Sequence, residues 1–256
     1  MLKKLFLASL VLGLWLDHAS TAMARSLEAI KASGTILIAT EGATPPFNYF
    51  EGDKVTGFDV EIGNAVAAKL GVTPKWITLP FDSLLVALNQ DRYDFVVAGH
   101  GITAERLKAV DFSDPYVCSG AAIIAKAGGA KTVDDLKGKI IGVQVGTTYL
   151  TAVEKISGVA AVKTFPKDTD ALQNLVAGRT DVWVSDKLTA VDAANKNPQM
   201  NLQIGDLLYE ERYGMAFKKG NDDLRKAVNA AFAAILTDGT YAAISSHYFQ
   251  RDIRCH

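Results

Sequence analysis

The sequence predicts an α/β fold in two lobes, and three observations carry that expectation. Strand-like β-branched runs alternate with helical patterns along the chain. Two extended segments, Ser119 to Ala127 and Leu207 to Phe217, interrupt the alternation beside strand–helix blocks that are already complete. The 256 residues are 49% hydrophobic and 21% charged, a balance that belongs to folded globular proteins and excludes disordered or collagen-like chains.

The strands fall, in order, at Thr35 to Thr40, Pro74 to Leu79, Tyr93 to Gly99, Gly120 to Ala127, Lys139 to Gly146, Ala160 to Phe165 and Arg179 to Asp186. Between the first two, Ile62, Val66 and Leu70 recur every four residues with Gly71 just beyond, so a helix starts near Phe58 and ends at a glycine cap. A second helix over Asp82 to Asn89 puts Leu84 and Leu88 on one face. Further helices are expected at Thr148 to Lys155, Thr169 to Ala177, Asp222 to Leu236 and Tyr241 to Phe249. The two interruptions read as crossover strands. The chain is then expected to build lobe 1 over residues 25–118, lobe 2 over 119–211, and to complete lobe 1 with 212–256.

Residues 1–24 read as an export signal. Lys3 and Lys4 precede an apolar run from Leu5 to Leu16, and Ala22-Met23-Ala24 supplies a small-x-small cleavage pattern. The run is shorter than the roughly 20 residues that span a bilayer, so a soluble periplasmic protein is expected after cleavage. With 27 Lys+Arg against 28 Asp+Glu the formal charge is -1, which gives no global basic field for nucleic acid. Cys118 and Cys255 lack metal-knuckle spacing. In an oxidising compartment they can pair, or they can stand as two separate thiols.

Ligands of open α/β sheets lie beyond the carboxyl ends of the strands. The third strand runs into Gly99-His100-Gly101-Ile102-Thr103-Ala104-Glu105-Arg106, where Thr103 can cap a short helix and Arg106 faces the mouth. A guanidinium grips a carboxylate through two charge-assisted bonds of about 1.5 to 3 kcal/mol each, and glycines permit close approach to the backbone. The strand from Lys139 ends in Gly146-Thr147-Thr148, whose hydroxyls are further donors or plain helix caps. The strand Val182-Trp183-Val184-Ser185 ends in Asp186, which can hold an ammonium or cap the next helix. Together these describe an anion clamp on one lobe facing a cation acceptor on the other. Trp76 and Trp183 sit within strand patterns and read as core.

Gly57-Phe58-Asp59-Val60-Glu61-Ile62, then Ile102-Thr103-Ala104-Glu105-Arg106, Val110-Asp111-Phe112-Ser113-Asp114-Pro115-Tyr116 and Tyr213-Gly214-Met215-Ala216-Phe217 occur in this order. On these segments the chain resembles the family 3 periplasmic solute-binding proteins, the polar amino acid receptors of ABC importers. The resemblance implies a Venus flytrap fold, each lobe a mixed sheet flanked by helices, without a cofactor or metal. It implies a monomer that delivers its amino acid to a membrane permease. Arg106 matches the residue that binds the ligand α-carboxylate, Thr147 and Thr148 match residues that assist it, and Asp186 matches the acid that holds the α-amino group. Phe81 aligns with a wall residue, and Glu41 with an acidic position that meets the distal group of basic or amide ligands.

Several positions depart from the family pattern. Thr44 stands where many members carry Tyr or Phe, Gly99 is an accepted variant, and Gly101 replaces a customary Ser or Thr. His100 between them reads as an outward imidazole. The fold also resembles cyclohexadienyl dehydratases, and an enzyme of that kind would need Glu41 or His100 as a proton donor. A receptor's sensor domain would require a membrane helix after the domain. The expectation is a non-enzymatic binding protein for a polar or basic amino acid.

Overall fold

The alternation of strands and helices folds, in a computed structural model that describes residues 24–255, into two five-stranded sheets and one small three-stranded sheet. Residues 1–23, on which the export expectation rests, lie outside the described residues. Among those described, no single helix is long and apolar enough to cross a membrane.

The first stretch runs α1 (Leu27–Ser33), β1 (Thr35–Thr40), β2 (Ala43–Thr44), β3 (Asn48–Glu51), β4 (Lys54–Thr56), α2 (Phe58–Leu70), β5 (Thr73–Thr78), α3 (Phe81–Asn89), β6 (Phe95–Val96), α4 (Arg106–Ala109) and β7 (Val110–Phe112). It continues through β8 (Val117–Lys126), β9 (Ile140–Gln144), α5 (Thr148–Val153), β10 (Ala161–Phe165), α6 (Asp168–Val176), β11 (Val182–Asp186) and α7 (Lys187–Lys196). It closes with β12 (Leu202–Tyr213), β13 (Ala216–Lys218), α8 (Asp222–Thr237) and α9 (Thr240–Phe249).

The first sheet has the order β5-β1-β6-β13-β7, with β13 antiparallel to both neighbours, and the second has the order β10-β9-β11-β8-β12. Both are therefore mixed. Each is covered on two faces by separate apolar clusters: Phe58, Ile62 and Val228 against Leu84 and Leu88 in the first, Ile141 and Val153 against Leu175 and Trp183 in the second. Phe58 is fully buried among the rings of Phe47, Tyr116, Tyr241 and Phe249. Truncating such a ring costs about 3–5 kcal/mol.

α2 has the expected length because of its ends. Gly71 (φ 75°) closes it, donating its N–H to Ala68 O at 3.1 Å. At its start Gly57 takes φ 116°, and a Cβ there would stand 2.4 Å from Phe47 O. The first turn carries Asp59, fully buried, which accepts from Asn48 Nδ2 and from Tyr116 OH, each at 2.8 Å.

Two crossings join the sheets. β8 and β12 pair antiparallel from Leu202↔Lys126 to Tyr213↔Val117, with irregularities on either side of Leu207. The expected second crossover from Leu207 to Phe217 is thus two elements, because the strand is interrupted at Gly214–Met215 and resumes as β13. The Cys118 and Cys255 sulfurs are bonded, and Cys118 N–H donates to Ile253 O at 3.3 Å, which lays the C-terminal tail along the start of β8. The β2–β4 sheet and α1 come in addition to the expected elements, being too short and weakly periodic to mark the sequence. Trp76 is half-buried rather than core, its Nε1 donating to Asn64 Oδ1 at 2.9 Å.

Candidate functional site

The carboxyl ends of the strands in both sheets meet in one narrow cleft, with a volume of about 40 Å³. Thr44, Phe47, Asn48, Phe81, Ala98, Gly99 and Arg106 form one wall. Gln144, Thr147, Thr148, Tyr149, Asp168, Ser185 and Asp186 form the other, and Tyr213 comes from the end of β12.

Arg106 is the first residue of α4, where Thr103 Oγ1 accepts its backbone N–H at 3.1 Å. Its guanidinium donates to Gly101 O at 3.0 Å and, across the cleft, to Gly146 O at 3.1 Å, and it stands 5.8 Å from the Phe81 ring centroid. Burial lowers its pKa, and the negative charge of Glu211 works in the other direction. Phe81, at the start of α3, is a wall residue, as the resemblance implies.

Asp186 ends β11 and caps α7, and its two oxygens divide these tasks. Oδ1 accepts from Leu188 N–H at 2.7 Å and Thr189 N–H at 3.1 Å, while Oδ2 accepts from Tyr213 OH at 2.6 Å. Capping and cleft exposure are therefore compatible at this residue. Burial raises its pKa. The Tyr213 hydroxyl also lies 2.8 Å from that of Tyr149, closing the back of the cleft with two phenols.

One expectation needs correction, that of an outward His100, and three further residues are placed in ways that bear on their expected roles. Thr147 is on the wall, but its hydroxyl is committed to local structure, accepting from Leu150 N–H at 3.2 Å and donating to Gln144 O at 2.8 Å. Gly101 is not on the wall: its carbonyl holds Arg106, and a Cβ there would meet Glu211 Oε1 at 1.7 Å. Glu41 lies behind the wall, with Oε1 accepting from Gln144 Nε2 at 2.6 Å and Oε2 from Thr44 Oγ1 at 2.9 Å. Burial raises its pKa to about 7. His100 is not outward but 1% exposed, stacked on Phe81 with centroids 4.3 Å apart, and burial holds its pKa well below the usual imidazole range. Gly99 lines the cleft with its backbone, and its N–H is spent on Tyr116 OH at 2.9 Å. Thr148 lines it too, and its hydroxyl donates to Glu211 Oε2 at 3.0 Å.

Sequence reasoning missed Gln144, Asp168, Tyr149, Tyr213 and Glu211. The first two carry a usable signal, since Gln144 ends β9 and Asp168 opens the helix after β10. Asp168 Oδ1 accepts from Trp183 Nε1 at 2.9 Å and Oδ2 from Ser185 Oγ at 2.7 Å, and burial raises its pKa to about 6. Trp183 is core, as expected, and also holds this acid.

Comparisons with known proteins show the family of the chain. Residues 36–251 match the family described as bacterial extracellular solute-binding proteins, family 3. The L-cystine-binding protein TcyJ of Escherichia coli K12 is 39% identical over 233 residues, covering 89% of this chain and 87% of that protein. The L-arginine-binding protein of Pseudomonas aeruginosa is 34% identical, covering 89% and 93%. A solved ancestral arginine-binding protein bound to arginine is 40% identical with a TM-score of 0.81, covering 84% and 98%. The chain belongs to the family 3 extracellular solute-binding proteins.

Proposed function

We propose that this family member is an exported receptor that captures a polar amino acid carrying a second cationic group, by closing its lobes, and passes it to an ABC importer. One observation carries the reading: Arg106 and Asp186, from different sheets, line a single cleft. A dipolar ligand then places its carboxylate at Arg106 and its ammonium at Asp186, so neither wall alone holds both ends. Contacts made to both lobes only when they are shut give the ligand differential affinity for the closed state, and that difference shifts the population.

Charge supports the second cation. The walls carry Asp168 and Asp186 against Arg106, with Glu41 and Glu211 close behind. A relative named for arginine fits that balance, whereas cystine, for which another relative is named, brings its second ammonium together with a second carboxylate. Binding without bond chemistry is favoured because Glu41 and His100, the two candidate proton donors, both lie behind other side chains.

Thermal-shift measurements with arginine, lysine, ornithine, cystine and leucine test the reading. A ligand at 100 times its Kd stabilises the native state by about 2.7 kcal/mol. A shift with at least one of the first four and none with leucine is expected, whereas a shift with leucine alone would overturn it.

A further inference from the structure

Glu211 reaches the space over Gly101, near the end of β12. It is 8% exposed, and any side chain at position 101 would displace it, since a Cβ there falls 1.7 Å from Oε1. The space that a side chain at position 101 would take is therefore filled by a carboxylate from the crossing strand β12. That carboxylate accepts the hydroxyl of Thr148, which stands on the cleft wall while Glu211 stands behind it.

We propose that Glu211 is a positioning residue for the carboxylate end of the ligand, acting through Thr148 and taking up a proton when the ligand binds. The inference rests on the cleft reading above, in which the ligand carboxylate pairs with Arg106. While Glu211 is ionised, the hydroxyl hydrogen of Thr148 is committed to it. A ligand carboxylate at Arg106 offsets the positive field that helps keep Glu211 charged and adds a second negative charge nearby. One proton then passes from solvent to Glu211. Its new O–H donates to Thr148 Oγ1, and the Thr148 hydrogen turns to the ligand.

The surroundings are suited to this exchange. Burial pushes Glu211 up to about 7, with the Thr148 hydrogen bond and Arg106 lowering it and Asp186 raising it. Tyr149, Tyr209 and Tyr213 also face it, and burial pushes all three above the ordinary phenol range, so they stay neutral. On its other side Glu211 borders a groove holding Lys187, Glu210, Arg212, Arg251, Asp252 and Arg254.

The test is calorimetric titration of the wild-type chain, Glu211→Gln and Gly101→Ser with L-arginine and, separately, L-cystine, from pH 5.5 to 8.5 in buffers of different ionisation heat. Wild type is expected to take up protons near pH 7. Its Kd relative to that of Glu211→Gln should rise about tenfold across the range, which corresponds to one pKa unit of coupling. Gly101→Ser, which evicts the carboxylate, should lose the same dependence and keeps the inference testable if Glu211→Gln folds poorly. A uniform change in Kd with an unaltered pH profile in both variants would mark Glu211 as structural only and overturn the inference while leaving the cleft reading intact. Should neither bind wild type while L-lysine or L-ornithine does, the same titrations run with that amino acid; failure of all four to bind wild type would overturn the cleft reading and this inference together.

Discussion

The two walls of the cleft treat their acids in opposite ways. The first wall hides them: Glu41 lies behind Thr44, and Asp59 lies behind Asn48, so the charge that wall presents is the cation of Arg106. The second wall presents Asp168 and Asp186 directly, each held in place by at least two hydrogen-bond donors. The sign of a wall is thus set less by how many acids its lobe contains than by which side chain stands between each acid and the opening. Two walls of opposite sign suit a dipolar guest.

The largest break in this comparison should come from Arg106→Ala. Losing two charge-assisted bonds costs about 3 kcal/mol or more, so ligand affinity should fall beyond a hundredfold in calorimetry while the unliganded melting temperature moves little. An unchanged affinity would take Arg106 out of the site. Asp186→Asn comes next, because asparagine retains a cap acceptor for α7 but not the negative charge. Affinity should drop about thirtyfold, roughly 2 kcal/mol, with helix stability preserved. A large loss of unliganded stability would mean that capping is the main task of Asp186.

The presented and hidden acids can then be compared directly. Asp168→Asn should weaken binding of L-arginine about tenfold, and Glu41→Gln by less than threefold, since Asp168 lines the cleft whereas Thr44 and Gln144 stand between Glu41 and the opening. The reverse order would show that covered charge governs the far end of the cleft.

The smallest effect concerns stability and pH. Burial raises Glu41 and Glu211 to about 7 and Asp59 and Asp168 to about 6. Between the ordinary carboxylate pKa and these values the native state binds more protons than the unfolded one, so stability rises as pH falls. His100, held low by burial, works against this because it must charge on unfolding in acid. These acids, with Asp186 raised by burial as well, against one imidazole should leave the unliganded protein melting about 3 °C or more higher at pH 5.5 than at pH 7.5. A lower melting temperature at pH 5.5 would show that these acids are better solvated than their burial implies.

Much of this arrangement could be read from the chain because local rules fixed it. Ile62, Val66, Leu70 and Gly71 specify α2, and the strand tips point to Arg106, Thr148 and Asp186. What could not be read depends on distance across the fold. Nothing near Glu41 indicates that Gln144 will cover it, and nothing near Gly101 indicates that Glu211 fills its missing side chain. His100 looked solvent-facing because it sits between glycines, but stacking on Phe81 turns it inward.

The paired ribbon of β8 and β12 adds one constraint of its own. Successive side chains on a strand point to opposite sides, so a shift of one position reverses every residue downstream. Gly120 meets Tyr209 O so closely that a Cβ would fall 2.3 Å away, which leaves the ribbon little freedom to slip. Losing a single residue between Leu202 and Glu211, with the ladder still anchored at Leu202, would bring Arg212 into the place of Glu211. A guanidinium would then stand over Gly101, repelling Arg106 where a carboxylate now attracts it. The connection between the halves therefore sets the polarity of the opening by counting residues, before any rotation takes place.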